Sequence, residues 1–236
     1  MDYFVFGDVD TRNFDIHIFD LNTDLSPKML VDEIKIPGRN GSLLMKNNSF
    51  ENVQHRYMGV VYENAADNLA WFRSEIMKNS GYMRLEDSIH LEEFYEARYV
   101  GGLEPVLTPE RTMAKFAIEF SRKPQRFLKS GERTYVITGN STVLENPTPF
   151  PARPLVRAYG TGTFSFGGKS VTVSSHSYDY VDVDCEMMDC YCGPYNLNAK
   201  VSLNDYEFPE LLGGTNTIQK DSTLSRLEII PRWWAV

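Results

Sequence analysis

Thr112-Met113-Ala114-Lys115-Phe116-Ala117-Ile118-Glu119-Phe120, followed by Ser121-Arg122-Lys123-Pro124-Gln125-Arg126, is the stretch that decides the architecture. Ala114, Phe116, Ile118 and Phe120 alternate with Met113, Lys115, Ala117 and Glu119, the period-two pattern of a half-buried strand. The charged, proline-bearing run that follows breaks the alternation and marks a domain boundary near residue 128.

Toward the N-terminus, Phe94 to Val100 forms a second strand candidate, and Gly101-Gly102-Leu103-Glu104-Pro105 connects the two, so the pair reads as a long hairpin whose tip could reach a neighbour. Before it lies a helix between Asn64 and Gly81. Asn64 is placed to cap it, Asp67 and Lys78 suit its dipole ends, and Leu69, Phe72 and Ile76 make an apolar stripe with Trp71 at its margin. Further upstream, Phe14 to Ile18 and Leu30 to Ile36 read as strands, the latter stopped by the turn cluster Pro37-Gly38-Arg39-Asn40-Gly41. Strands resume around Phe50 and from Tyr57 to Tyr62.

Beyond the boundary, turn signals recur every eight to twelve residues or so from Thr134 onward, the spacing of a β-sandwich or jelly roll. Thr163-Phe164-Ser165-Phe166, Gly167-Gly168 and Lys169 to Val173 form its clearest hairpin, with the glycine pair at the tight turn. The expectation is a mainly β chain of two domains, a β-sandwich-like 1–128 with one helix and a long hairpin, and a β-sandwich or jelly roll over 129–236. Trp233-Trp234 is expected to cap the second core.

Hydrophobic residues at 42% supply enough apolar surface for two cores. A net charge of −8 with no Lys/Arg block argues against binding duplex DNA through its phosphates, while an acidic passage would not retain DNA moving through it. Met1 to Asp8 does not read as a secretory signal, and no apolar run is long enough to span a membrane, so cytoplasmic synthesis and reduced thiols at Cys185, Cys190 and Cys192 are expected.

Chemistry-bearing patterns are sparse. His17, His55, His90 and His176 are scattered and read as surface or half-buried residues, and the cysteine spacing is not that of a zinc site. Asp182, Asp184 and Glu186 alternate with Val181, Val183 and Cys185. They could serve a glycosidase or a calcium site, but read more simply as a solvated strand face above a core face, with a cationic neighbour from an adjacent strand or subunit offsetting their repulsion. Neither a nucleophile elbow nor a phosphate loop is present. No catalytic residue, cofactor or metal ligand is expected.

Several motifs, in order, resemble the distal tail proteins of siphovirus-type phages and prophages. They are Ile36-Pro37-Gly38-Arg39-Asn40-Gly41; the helix segment around Trp71 with Gly81 to Asp87; Phe94 to Ala97; and Phe116 to Phe120 with Pro124 beyond. In the second half, Asn146 to Leu155, the Asp184-Cys185-Glu186 run and Phe208-Pro209-Glu210-Leu211-Leu212-Gly213-Gly214-Thr215-Asn216 continue the likeness. Asn40 stands where that family commonly has aspartate, and the entry to the second half lacks the usual glycine.

The resemblance implies a structural role. The first domain would form a homo-hexameric ring continuing the tail tube, and a second, galectin-like β-sandwich would sit at its periphery. Partners would be the tail tube protein, the tail-associated lysin or tail-tip protein and receptor-binding proteins, at a virion tail tip assembled in the host cytoplasm, with DNA only as passing cargo. The alternative is binding of host cell-wall carbohydrate by the second domain, with Tyr178, Tyr180, Tyr191 and Tyr195 as candidate sugar-stacking residues.

Overall fold

In the computed structural model, which describes residues 2–21 and 25–236, the chain divides into two compact units, Met1–Arg126 with Val236, and Phe127–Ala235.

The first unit contains β1 (Phe4–Phe6), β2 (Val9–Asp10), β3 (Ile16–Leu21), β4 (Met29–Lys35), β5 (Ser42–Phe50) and β6 (Val53–Val61), then α1 (Ala65–Met77). It continues with β7 (Met83–Asp87), β8 (Glu93–Gly101), β9 (Val106–Leu107) and β10 (Ala114–Leu128), whose last two residues belong to the second unit. The main sheet runs in the order β2-β1-β7-β8-β10-β6-β3. Its two ends approach one another through a bridge between Asp2 and Ile18, so the sheet curls around its own core.

The alternation of the decisive strand is realised: Ala114, Phe116, Ile118 and Phe120 are buried and pair with β6 in the register Ala114↔Val61 through Arg122↔Val53. The strand does not stop at the charged run, however, and continues to Leu128. Pro124 lies beyond the ladder to β6, so its missing N–H interrupts no bond to that strand. The helix buries Ala65, Leu69, Phe72 and Ile76 as its periodicity predicts. Phe72 packs 6.1 Å from Phe116 and 6.3 Å from Phe4, centroid to centroid, and Phe4 stacks on Tyr57 at 4.7 Å. Asn64 sits at the helix start in the left-handed region with no side-chain cap bond; instead its carbonyl receives the N–H of Asn68, whose own amide reaches Glu63 O.

The second unit contains β11 (Tyr135–Ile137), β12 (Ser141–Asn146), β13 (Leu155–Gly160), β14 (Gly162–Phe166), β15 (Lys169–Val173) and β16 (Val181–Asp184). β17 (Asp189–Cys192), β18 (Tyr195–Asn196), β19 (Val201–Leu203), β20 (Gly214–Lys220), β21 (Leu224–Ile230) and the short β22 (Trp234–Ala235) follow. Two antiparallel sheets, β11-β21-β13-β16-β17-β18 and β12-β20-β14-β15-β19, share one core. Val156, Val183 and Ile229 from the first sheet meet Phe164, Val171 and Ile218 from the second, and Trp233 is buried among them. This is a β-sandwich. The Gly167-Gly168 turn has φ of 58° and 78°, the positive angles that a two-residue hairpin turn of this kind requires.

Candidate functional site

The feature of the first unit that its own core does not account for is the hairpin formed by β4 and β5. Among the described residues the two strands pair only with each other, and every residue of β4 is exposed. Partners in register share a face, Ile34 with Leu43 and Asp32 with Met45 on one side, Glu33 with Leu44 and Lys35 with Ser42 on the other. The first face, extended by Ile36, is an apolar row broken by Asp32. Ile34, Leu43 and Met45 on it are 43%, 47% and 52% exposed. The second face mixes charge with Val31 and Leu44. A lone two-stranded ribbon has marginal stability in water, and open edges with apolar side chains invite pairing with another chain.

Pro37, Gly38, Arg39 and Gly41 lie together at the tip. Arg39 N–H donates to Ile36 O, and the positive φ of Gly38 and Gly41 turns the chain back. The base is clamped by β10. Arg122 Nη2 donates to Leu25 O at 2.9 Å, and Asn52 Nδ2 donates to Ser121 Oγ at 3.2 Å and to Tyr82 Oη at 2.6 Å. The connection at Gly101-Gly102, expected as the tip of a reaching hairpin, is held on its far side by burial of Leu103 and by Arg73 Nη2 donating to Leu103 O. The signal for the β4–β5 hairpin lies in two apolar runs flanking a glycine-rich turn, but alternation alone does not tell an uncovered face from a covered one.

Trp71 projects outward on α1 with 67% of its surface exposed, and Pro124 is part of β10. Neither joins the hairpin residues in a shared contact described by the structure.

In the second unit the carboxylates differ from a solvated face. Asp182 and Asp184 are buried, because arginines cover them. Arg157 holds Asp182 through two bonds of 2.7 and 2.8 Å, and Arg232 holds Asp184 through two of 2.7 and 2.9 Å. Burial pushes the Asp184 carboxyl upward, but Arg232 and the N–H groups of Met187 and Glu186 outweigh it, so the group is held below the usual aspartate range. Glu186 lies past the strand end, exposed, 3.9 Å from Arg153. The expected cationic neighbours exist, and they occupy the carboxylate oxygens that a glycosidase would need free.

Cys185 and Cys190 are buried free thiols. Desolvation raises both, Cys190 to about 12, which suppresses the reactive thiolate. No cluster of three or more His, Cys, Asp or Glu suited to a metal ion occurs among the described residues. Pro209 is buried, Gly214 has φ of 80°, and Asn216 latches the loop before it, donating to Leu212 O and Gly214 O while accepting from Leu212 N–H. These motif residues shape a turn.

Tyr178 and Tyr195 lie 5.4 Å apart, with Tyr195 exposed. Tyr180 instead stacks under Arg157, and Tyr191 sits across from Asp182, so the four tyrosines do not form one platform. Two open grooves of about 310 and 350 Å³ mark the other sheet and share Ser165, Ser170 and Gln219, with the rings of Phe164 and Phe166 turned into the core. His55, unlike the surface or half-buried residue expected, is 1% exposed.

No family model and no curated protein sequence matches the chain. Solved structures do. The crystal structure of SPP1 Dit (gp 19.1), described as a paradigm of the hub adsorption apparatus in phages infecting Gram-positive bacteria, aligns with a TM-score of 0.79 and 10% identity, covering 100% of both chains. The baseplate of phage P2 in its activated conformation aligns with a TM-score of 0.54 in the calcium form, at 10% identity over 97% of each chain. The strontium form gives the same score at 9% identity. From its first strand to its last, the chain has the fold of the SPP1 Dit hub protein.

Proposed function

We propose that this chain is a structural hub protein of a phage tail tip, whose first unit assembles with further copies into a ring. The observation that carries this reading is the β4–β5 hairpin, a two-stranded ribbon with the apolar row Ile34, Ile36, Leu43 and Met45 left open by its own unit. A second copy of the same chain is the occupant that suits it: a neighbour in a ring offers each hairpin the same surface in turn, and closure leaves no hairpin uncovered.

The ring is a hexamer continuous with the tail tube. One face of each hairpin packs against the neighbour, and the other, bearing Glu33 and Lys35, faces the passage taken by DNA. The second unit forms the peripheral platform for the tail-associated lysin and the receptor-binding protein. The end-to-end likeness to a hub protein supports this assignment, as does the pairing of the aspartates that would otherwise be candidates for catalysis. Negative-stain imaging of the purified chain tests it: closed rings with a central hole are expected, and isolated particles at all concentrations would oppose it.

Cell-wall sugar binding by the second unit is the other reading, favoured by the Tyr178–Tyr195 pair. A cell-wall pull-down with the full chain that fails after Tyr195→Ala would support it.

A further inference from the structure

We propose that the outer face of the β12-β20-β14-β15-β19 sheet is a binding groove for a neutral polysaccharide, with the ring of Tyr206 at its end. The two grooves on this sheet share Ser165, Ser170 and Gln219 and so form one depression. Its floor follows from the strand register. Ser141 stands beside Gln219, Gln219 beside Ser165, and Ser165 beside Ser170, which places one polar, uncharged side chain on each of four successive strands. Neighbouring strands lie about 4.8 Å apart, close to the length of one pyranose unit. A sugar chain laid across the strands therefore meets one such side chain per sugar.

These groups are free to bind. Among the described residues, the side chains of Ser141, Ser165, Ser170 and Gln219 make no hydrogen bond, and neither do those of Thr217 and Asn204 beside them. Elsewhere on the same face the hydroxyls are engaged: Thr163 and Thr172 bond each other at 3.0 Å, and Thr215 donates to Glu145. Hydroxyl and amide groups both give and accept hydrogen bonds, as a polyhydroxylated ligand requires. The charges around the depression are already in use. Lys169 Nζ donates to Glu207, Lys220 Nζ donates to Leu224 O at 2.6 Å, and Asp221 Oδ2 takes the N–H of Thr163 at 2.7 Å. An anionic polymer thus finds no free cation among the described lining residues, whereas a neutral glycan needs none.

Strand β19, which pairs with β15, runs into the turn Asn204–Tyr206 at the end of this row. Asn204 lines the groove, Glu207 holds the lining residue Lys169, and Tyr206 between them is 97% exposed with φ of 58°. A bulky residue in the left-handed region is strained, and this one gains no packing in return. Its ring stays open for the apolar face of a sugar to stack on. The groove rests on neither the ring reading nor the Tyr178–Tyr195 pair, since Tyr195 belongs to the other sheet.

Titration of the purified full chain with neutral glucan, galactan and rhamnan tetrasaccharides tests it, with poly(glycerol phosphate) as the anionic control. One or more of the neutral sugars should bind, and Gln219→Ala and Tyr206→Ala should each weaken that binding by about tenfold or more at an unchanged thermal midpoint. Tyr206→Phe and Tyr195→Ala should bind as the wild type does. Binding of none of the neutral sugars, binding indifferent to both alanine variants, binding of poly(glycerol phosphate) alone, or loss with Tyr195→Ala in place of Tyr206→Ala would each overturn the proposal. Ring formation by the same samples reports on the hub reading separately.

Discussion

Arg232 holds Asp184 with both ends of its guanidinium, Nη1 to Oδ1 at 2.7 Å and Nη2 to Oδ2 at 2.9 Å, and the carboxylate it holds is 1% exposed. Removing the arginine leaves a buried charge uncompensated. Arg232→Ala should destabilise the second unit by about 2–3 kcal/mol, below the range for fully enclosed pairs because the arginine retains contact with water. The pH dependence has a definite sign. The folded-state pKa of Asp184 is depressed, so its contribution is present above the unfolded value of 3.8 and is lost as pH falls through the folded one. Denaturant melts of both proteins across acid pH should show the variant losing less stability on acidification.

His55 gives a dependence at higher pH. Burial, with Arg122 and His90 nearby, lowers its pKa from 6.5 to about 3, so the folded unit excludes a proton that the unfolded chain accepts. Stability should fall as pH drops from 6.5 toward 3, by an amount on the order of a few kcal/mol at the lower end. His55→Phe keeps a ring in the site and should flatten this part of the profile, measured as the urea midpoint against pH.

Gly59 lies on β6 directly beneath Phe116, where an added Cβ would come 2.6 Å from the ring. Gly59→Ala should cost about 1–3 kcal/mol through overpacking. A lowered thermal midpoint with β structure retained at low temperature is the expected outcome.

Ile34 and Leu43 face each other across the hairpin and are both exposed. Ile34→Asp and Leu43→Asp should leave the unfolding free energy of the monomer within about 0.5 kcal/mol of wild type while weakening assembly. Sedimentation of each variant beside its denaturant curve separates the two effects.

What could be read in the sequence depended on what each pattern reports. Alternation from Ala114 to Phe120 and the stripe Leu69, Phe72, Ile76 state which face is apolar, and both faces are buried. The same alternation over Leu30 to Ile36 also states that residues are apolar, yet among the described residues nothing in the unit covers them. Coverage depends on partners distant in sequence or on another chain. The aspartates were harder for a related reason. Asp182 and Asp184 resemble an exposed acidic face until Arg157 and Arg232, 25 and 48 residues away, are brought over them. His55 carried no local signal, because its burial arises from the curl of the sheet.

The measurement that bears most directly on the hub assignment is the mass of the purified full chain in solution, followed over concentration for the wild type and for Leu43→Asp. A six-copy particle for the wild type, reduced to a folded monomer by the substitution, is the predicted result. A wild-type chain that stays monomeric at high concentration and does not bind tail partners would contradict the account.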